Sequence, residues 1–301
     1  MLKRALVIAN PGSGTPEPGA LEAALDRHAG SIERRVRRLQ RGEDTAQVAR
    51  EELREGWDVV VAAGGDGTVS GVAQAAGEAG VPVLIAPMGT ANMLAVQLGI
   101  PGDLDEAIGL LAGEMAVRRI DGMEIGGRLC LVSASVGVSA TTIRELSGAD
   151  KRRFGFLAYV GTGIASSFRF HPIPCTISID GRARSLRILD VAVINAGFKS
   201  ERLIPGIPDI RPDDGRLDVL IVWAPRPVEY LRYLARALLA ARRVRPNIEW
   251  LTAEREVQID CGEPLPVQAD GDMSGETPVT IRLVRGAVGI VVPQLPVAST
   301  G

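Results

Sequence analysis

Three short segments of the sequence combine glycine with amide or hydroxyl side chains. They are Asn-Pro-Gly-Ser-Gly at 10–14, Gly-Gly-Asp-Gly-Thr at 64–68 and Gly-Thr-Ala-Asn at 89–92. Each follows an apolar run and precedes a stretch that reads as a helix. Glycine lets a ligand approach the backbone, and the unpaired amides that open a helix attract anions. One such turn is ordinary turn chemistry, whereas three in equivalent places predict a phosphate-binding surface. Asp66 stands among the glycines of the second segment. A bare carboxylate repels phosphate, so Asp66 points to Mg²⁺ bridging to a nucleotide, or to a base for an incoming hydroxyl. A simple turn aspartate is the plain alternative. The chain contains no G-x-x-x-x-G-K-[ST] loop, and the first turn does not continue as G-x-G-x-x-G. A P-loop and a dinucleotide hydride-transfer site therefore lose their markers.

The elements that would position these segments alternate along the first third of the chain. Apolar runs at 6–9, 59–63 and 83–86 predict strands buried on both faces, with a further strand around 32–39. Helices are expected near 20–28, over 43–54 with Ala46, Ala49 and Leu53 inward, from Thr68 onward, and before Leu98. This is a parallel sheet covered by helices, which binds ligands beyond the carboxyl ends of its strands. After about Arg118 the pattern changes. Short β-rich runs at 127–136, 176–179, 188–194, 217–222, 257–259, 279–284 and 288–292 dominate, interrupted by helices near 153–166 and 228–243. Such runs between Gly/Pro turns predict a sandwich. The expected fold class is thus α/β: a Rossmann-like nucleotide domain over 1–118, then a β-sandwich over 119–301 whose last residues return to the first domain.

Composition removes several function classes. The 301 residues are 46% apolar and 23% charged, which excludes disorder, and the net charge of −2 gives no basic excess for a nucleic-acid backbone. Cys130, Cys175 and Cys261 are widely spaced, so neither a disulfide framework nor a thiolate zinc site is expected, and a reducing compartment suits them. Only His28 and His171 exist, which excludes a multi-histidine metal site. The apolar run at 5–9 is too short for a secretory leader, and no run approaches the roughly 18 apolar residues of a spanning helix. The expected location is cytoplasmic, with peripheral contact at the inner face of the membrane if the substrate is a lipid.

Taken in order, the three segments resemble the diacylglycerol kinase catalytic-domain family, which includes soluble bacterial lipid kinases and sphingosine and ceramide kinases. The likeness continues through Lys151-Arg152-Arg153-Phe154-Gly155, Ile204-Pro205, Asp213-Asp214-Gly215-Arg216-Leu217-Asp218 and Ala269-Asp270-Gly271-Asp272. The resemblance implies ATP as phosphoryl donor, Mg²⁺ as cofactor and a lipid alcohol such as diacylglycerol as acceptor. It further implies nucleotide contacts from Asn10, Pro11, Ser13, Gly14, Gly64, Gly65, Gly67, Thr68, Gly89, Thr90 and Asn92. Asp66 would serve the metal-nucleotide and the catalytic step, and Asp272 falls where the family carries the residue thought to deprotonate the lipid hydroxyl. Asp213, Asp214 and Asp218 fall at an acidic turn that holds a structural Mg²⁺ in some members. On spacing alone, Asp272 also reads as a hairpin-turn aspartate. The sequence departs from the family at Met93 and Ser139, where carboxylates are common, at Ser70-Gly71 in place of Asn-Glu, and at Thr15 in place of Lys.

The segment 228–243 carries Leu231, Leu234 and Leu238 on one helical face and Arg232, Arg236, Arg242 and Arg243 on others. It reads either as a helix that docks transiently on anionic lipid or as one packed on the sandwich. A homodimer is left open. Two alternatives to the lipid kinase remain: a degenerate member kept for nucleotide or lipid binding, and an NAD-kinase-like enzyme, which would share Gly-Gly-Asp-Gly-Thr.

Overall fold

The structure is a computed structural model and describes residues 2–13, 19–113, 116–137, 139–140, 172–197, 208–223 and 248–294. The chain divides into two compact units, Met1–Ile120 with Gly286–Gly301, and Asp121–Arg285.

The first unit alternates strand and helix: β1 (Arg4–Ala9), α1 (Ala20–His28), β2 (Glu33–Arg38), α2 (Thr45–Leu53), β3 (Val59–Gly64), α3 (Asp66–Ala79), β4 (Val83–Pro87), α4 (Met93–Leu98) and α5 (Leu104–Gly109). The sheet order is β2-β1-β3-β4, all parallel, with Val7 beside both Val36 and Val61. Every residue of β3 and β4 is buried, because helices cover both faces. Val7, Val61 and Leu84 pack on one face against Leu25 of α1 and Ile108 of α5. The alternate residues Leu6, Val60 and Ile85 are equally buried on the other face. Edge strand β2 instead carries arginines paired with acids, Arg35 with Glu52 and Glu55, and Arg37 with Glu43. A row of charges suits an edge that must not recruit another strand. Asp44 caps α2 by accepting from the Gln47 amide at 2.9 Å. His28 spends its Nε2 on Asp105 at 3.1 Å, a structural pairing of α1 with α5.

The second unit is a sandwich of antiparallel sheets. Its strands are β6 (Arg128–Cys130), β7 (Ser133–Gly137), β8 (Ile173–Ile179), β9 (Arg182–Ile188), β10 (Asp190–Ile194), β11 (Leu217–Val222), β12 (Ile248–Ala253), β13 (Glu256–Asp260), β14 (Pro266–Ala269) and β15 (Asp272–Glu276). β5 (Ala116–Ile125) and β16 (Val279–Val292) run between the two units. One sheet is ordered β12-β11-β10-β7-β14-β15, the other β16-β13-β8-β9. Val136, Val193, Val219 and Ala269 of the first meet Ile177, Ile188, Val257 and Ile281 of the second in one core. The last part of β16 then joins the first unit, pairing parallel with β4 through Ile290 and Val83.

The fold class is therefore α/β with a β-sandwich, as expected, but several elements differ in detail. Helix α3 begins at Asp66 rather than Thr68, which takes Asp66 out of the loop and makes it the first helical residue. The run 127–136 is two strands, separated at Leu131-Val132, and 188–194 is broken at Leu189. The runs 279–284 and 288–292 are one continuous strand. In α2 the buried face is Val48, Ala49 and Leu53, with Ala46 only half-buried. Gly14, Thr15, His171, the motif residues 151–155 and 204–205, and the expected helices 153–166 and 228–243 lie outside the described residues. Among the described residues no helix is long and apolar enough to cross a membrane.

Candidate functional site

In an open parallel sheet the chain leaves neighbouring strands in opposite directions at one place, and the loops there splay apart around a ligand. Here β1 continues through α1 to β2 on one side, while β3 lies on its other side. The switch point therefore falls between the carboxyl ends of β1 and β3, where the first two glycine-rich segments emerge. The structure brings them into contact. Asn10 Nδ2 donates to Thr68 Oγ1 at 3.0 Å, and the Asn10 amide donates to the Ala63 carbonyl at 2.9 Å. Asn10 Oδ1 accepts from the Gly12 amide at 3.0 Å, and the Ser13 amide returns to the Asn10 carbonyl at 3.1 Å. Asn10 thus folds its own turn and ties it to the second loop.

The second loop is held equally tightly to the third. A Cβ on Gly64 would lie 2.6 Å from the Thr68 Cβ, so only glycine allows the buried Thr68 to fold back there. A Cβ on Gly89 would lie 2.5 Å from the Gly65 Cα. The backbones of the two loops therefore touch where both residues lack side chains. Asn92, at φ 45°, accepts from the Gly89 amide and donates to the Gly89 carbonyl, both at 2.9 Å, closing the third loop as a ring. Asn10, Thr68 and Asn92 are in this way braces of the loops. Pro11, Gly12 and Thr90 are exposed, and Ser13, Gly65, Asp66, Gly67 and Gly89 are half-buried around them.

Asp66 opens α3 behind the N-cap residue Gly65, which supplies no side-chain cap. The first turn of this fourteen-residue helix therefore has no side-chain cap from its N-cap residue. A carboxylate there is favoured by the helix dipole. It is also a hard oxygen ligand of the kind Mg²⁺ takes, so Asp66 fits a metal-nucleotide.

The carboxylates of the second unit fall into separate roles. Asp270-Gly271 forms the turn between β14 and β15, with φ of 48° and 86°. Asp270 Oδ2 accepts from the Leu131 amide at 2.8 Å, and Oδ1 from Val132 at 2.9 Å and Ser133 at 3.0 Å. Asp270 is the hairpin-turn aspartate; Asp272 is the first residue of β15, exposed, opposite Ala269. At the acidic turn, Asp213 Oδ1 lies 3.6 Å from Arg211 Nε and Asp214 Oδ2 lies 3.3 Å from Arg216. Asp218 is buried in β11, and burial, with Asp214 nearby, lifts its pKa to about 6. Among the described residues no three His, Cys, Asp or Glu side chains converge on one point.

Two sites were not legible in advance. Asp190, fully enclosed at the start of β10, accepts from the Ser139 amide at 3.1 Å and from the Ser139 hydroxyl. Burial raises its pKa to about 6, against these hydrogen bonds. A carboxylate is therefore present beside position 139 although not on it. Its only trace in the sequence is a charge interrupting the apolar run 188–194. Gly71 is the second: a Cβ there would lie 2.8 Å from Thr45 Cβ, so it lets α2 and α3 approach. The Ser70-Gly71 departure has a packing reason.

Comparison with known proteins now decides the family. Residues 4–125 match the diacylglycerol kinase catalytic domain, and residues 132–292 match the YegS C-terminal NAD kinase beta sandwich-like domain. A Pseudomonas aeruginosa protein named "probable lipid kinase YegS-like" is 30% identical over 96% of this chain and 93% of its own. The chain belongs to the diacylglycerol kinase catalytic-domain family. An uncharacterized Synechocystis protein is 27% identical over 79% of this chain, which spans only 56% of that protein's length. A diacylglycerol kinase of Bacillus anthracis shares the fold, with a TM-score of 0.74 at 22% identity over 97% of both chains. For this kinase family, the three braced loops occupy the catalytic-domain match, and Asp272 and the acidic turn occupy the sandwich match.

Proposed function

We propose that the chain is a lipid kinase that transfers the γ-phosphoryl group of ATP to a hydroxyl of a lipid alcohol such as diacylglycerol. The observation that carries this reading is the joining of three glycine-rich loops at the switch point, with Asp66 opening α3 among them. Phosphoryl transfer asks chiefly for positioning and charge neutralisation, which backbone amides and a helix start supply. Gly12, Ser13, Gly65, Gly67, Gly89 and Thr90 would line the phosphates, braced by Asn10, Thr68 and Asn92. Asp66 would hold Mg²⁺, which supplies charge neutralisation when bound. Asp272, exposed at the start of β15, would accept the proton of the lipid hydroxyl. Because the phosphate cradle is mainly backbone, it tolerates the absence of carboxylates at Met93 and Ser139. A lipid acceptor would bring the protein to the cytoplasmic membrane face transiently.

The test is ATP turnover by purified protein with Mg²⁺ and mixed micelles carrying diacylglycerol, monoacylglycerol, a sphingoid base or a polyprenol, with NAD as a further acceptor. Turnover with one lipid should fall at least about a hundredfold in Asp66→Asn and in Asp272→Asn. Turnover with NAD alone would move the chain to the NAD-kinase reading. Silence with every acceptor while ATP still binds would make it a degenerate nucleotide-binding member.

A further inference from the structure

Cys175 lies in β8, and Cys261 immediately follows β13. The antiparallel register pairs Asp260 with Thr176, so the next step along the ladder sets Cys261 opposite Cys175. Directly opposed residues of such a ladder have Cα atoms about 4.5–5.5 Å apart, inside the roughly 4.4–6.8 Å window of a disulfide. The two Sγ atoms are 2.9 Å apart, closer than the about 3.5–4.0 Å of ordinary unbonded packing. Both side chains are buried, yet Gly262, Glu263 and Pro264, which follow Cys261, are exposed. Nothing in the phosphoryl-transfer reading uses either sulfur.

We propose that Cys175 and Cys261 are a modification site: a thiol pair that closes reversibly into a disulfide between β8 and the end of β13 when the protein meets a peroxide. The hydrogen bond between the two sulfurs lowers the pKa of the Cys261 thiol and raises that of Cys175. Cys261 is accordingly the attacking sulfur. The Cys261 thiol gives its proton to solvent, and its thiolate takes one oxygen of the peroxide as the O–O bond breaks; the other oxygen leaves as hydroxide and regains a proton from solvent as water, so Cys261 becomes a sulfenic acid. Cys175 then attacks the sulfenyl sulfur as its proton passes to the departing hydroxide, which leaves as a second water. Two thiols and one hydrogen peroxide give one disulfide and two waters. Cys130, also buried, has its thiol pushed up by burial and by the Asp270 charge, and serves as an internal control.

The native full chain is treated with hydrogen peroxide, quenched, unfolded in denaturant and alkylated, and its peptides are mapped by mass spectrometry. Free thiols should fall from the three of the untreated protein to one, on Cys130, with a 175–261 crosslinked peptide that dithiothreitol releases. Cys130→Ser should give the same crosslink and leave no free thiol. Retention of all three thiols, a crosslink through Cys130, or a sulfinic acid on Cys261 without a crosslink would each overturn the proposal.

Discussion

Gly89 and Gly65 approach each other so closely that the asymmetry between them is itself a test. A methyl on Gly89 would fall 2.5 Å from the Gly65 Cα, whereas one on Gly65 would sit at an ordinary 3.5 Å from the Gly89 Cα. Gly65 has φ −90° and ψ −177°, extended backbone open to any residue. Gly89→Ala should therefore cost about 1–3 kcal/mol of stability from overpacking, and Gly65→Ala well under half of that. Urea unfolding of both variants measures this, and equal midpoints would show that the second and third loops do not meet as described. ATP affinity should follow the same order, with a loss of about tenfold or more in Gly89→Ala. At this scale the sequence was only partly transparent. Glycine marked the loops, but it could not say which polar side chains brace them and which face outward, because Asn10 and Asn92 use contacts set by the fold. Asp66 looked like a loop residue because the glycines around it masked the start of α3.

Among the elements, two hairpins solve the same problem in the same way. Asp270-Gly271 and Asp180-Gly181 both adopt positive φ at successive residues, the turn that fits the twist of an antiparallel pair. In each, the aspartate carboxylate captures three consecutive amides of a neighbouring segment: 131–133 for Asp270, 254–256 for Asp180. Burial alone would lift the Asp180 pKa, but the amides of Glu254, Glu256 and Arg255 bring it below the usual carboxylate range. Asp270→Asn replaces a full charge that accepts three bonds with a group that must turn a donor toward them. It should cost about 2 kcal/mol in urea unfolding, and Asp180→Asn a similar amount. An unchanged midpoint in both would mean that these bonds form with no net gain over water. The Asp-Gly pair at 270–271 was legible as turn chemistry, but the aspartate of the turn is Asp270 and not Asp272; β1, β3 and β4 were legible too, because their unbroken apolar runs need burial on both faces. Edge strands β9 and β15, Arg-Ala-Arg-Ser-Leu-Arg-Ile and Asp-Met-Ser-Gly-Glu, carry no apolar alternation because most of their side chains meet water. Their pairing is decided by partners, which a local pattern does not contain.

For the molecule as a whole, Asp190 sets a direction for stability against pH. Its pKa is about 6 in the folded chain and 3.8 ordinarily, so the native state keeps a proton that the unfolded chain releases near pH 4. The stabilisation linked to this proton is complete below about pH 4 and is lost as pH rises through about 6, on the order of 3 kcal/mol in all. Asp190→Asn keeps an acceptor for the Ser139 amide and removes the titration. Its unfolding midpoint should decline less than the parent's between pH 4 and pH 7, and parallel declines would show that Asp190 is not the source.

Strand β16 has a consequence for the order in which the molecule can be completed. Its last residues close the exposed side of β4, yet they are translated only after the entire sandwich sequence. On the ribosome, the first unit must wait with one sheet edge bare while more than half the chain is still being made, and a bare edge recruits foreign strands. A fragment of residues 1–120 should therefore aggregate at concentrations where the whole chain remains monodisperse by light scattering. Supplying residues 286–294 as a separate peptide should suppress that aggregation, as a donated strand would.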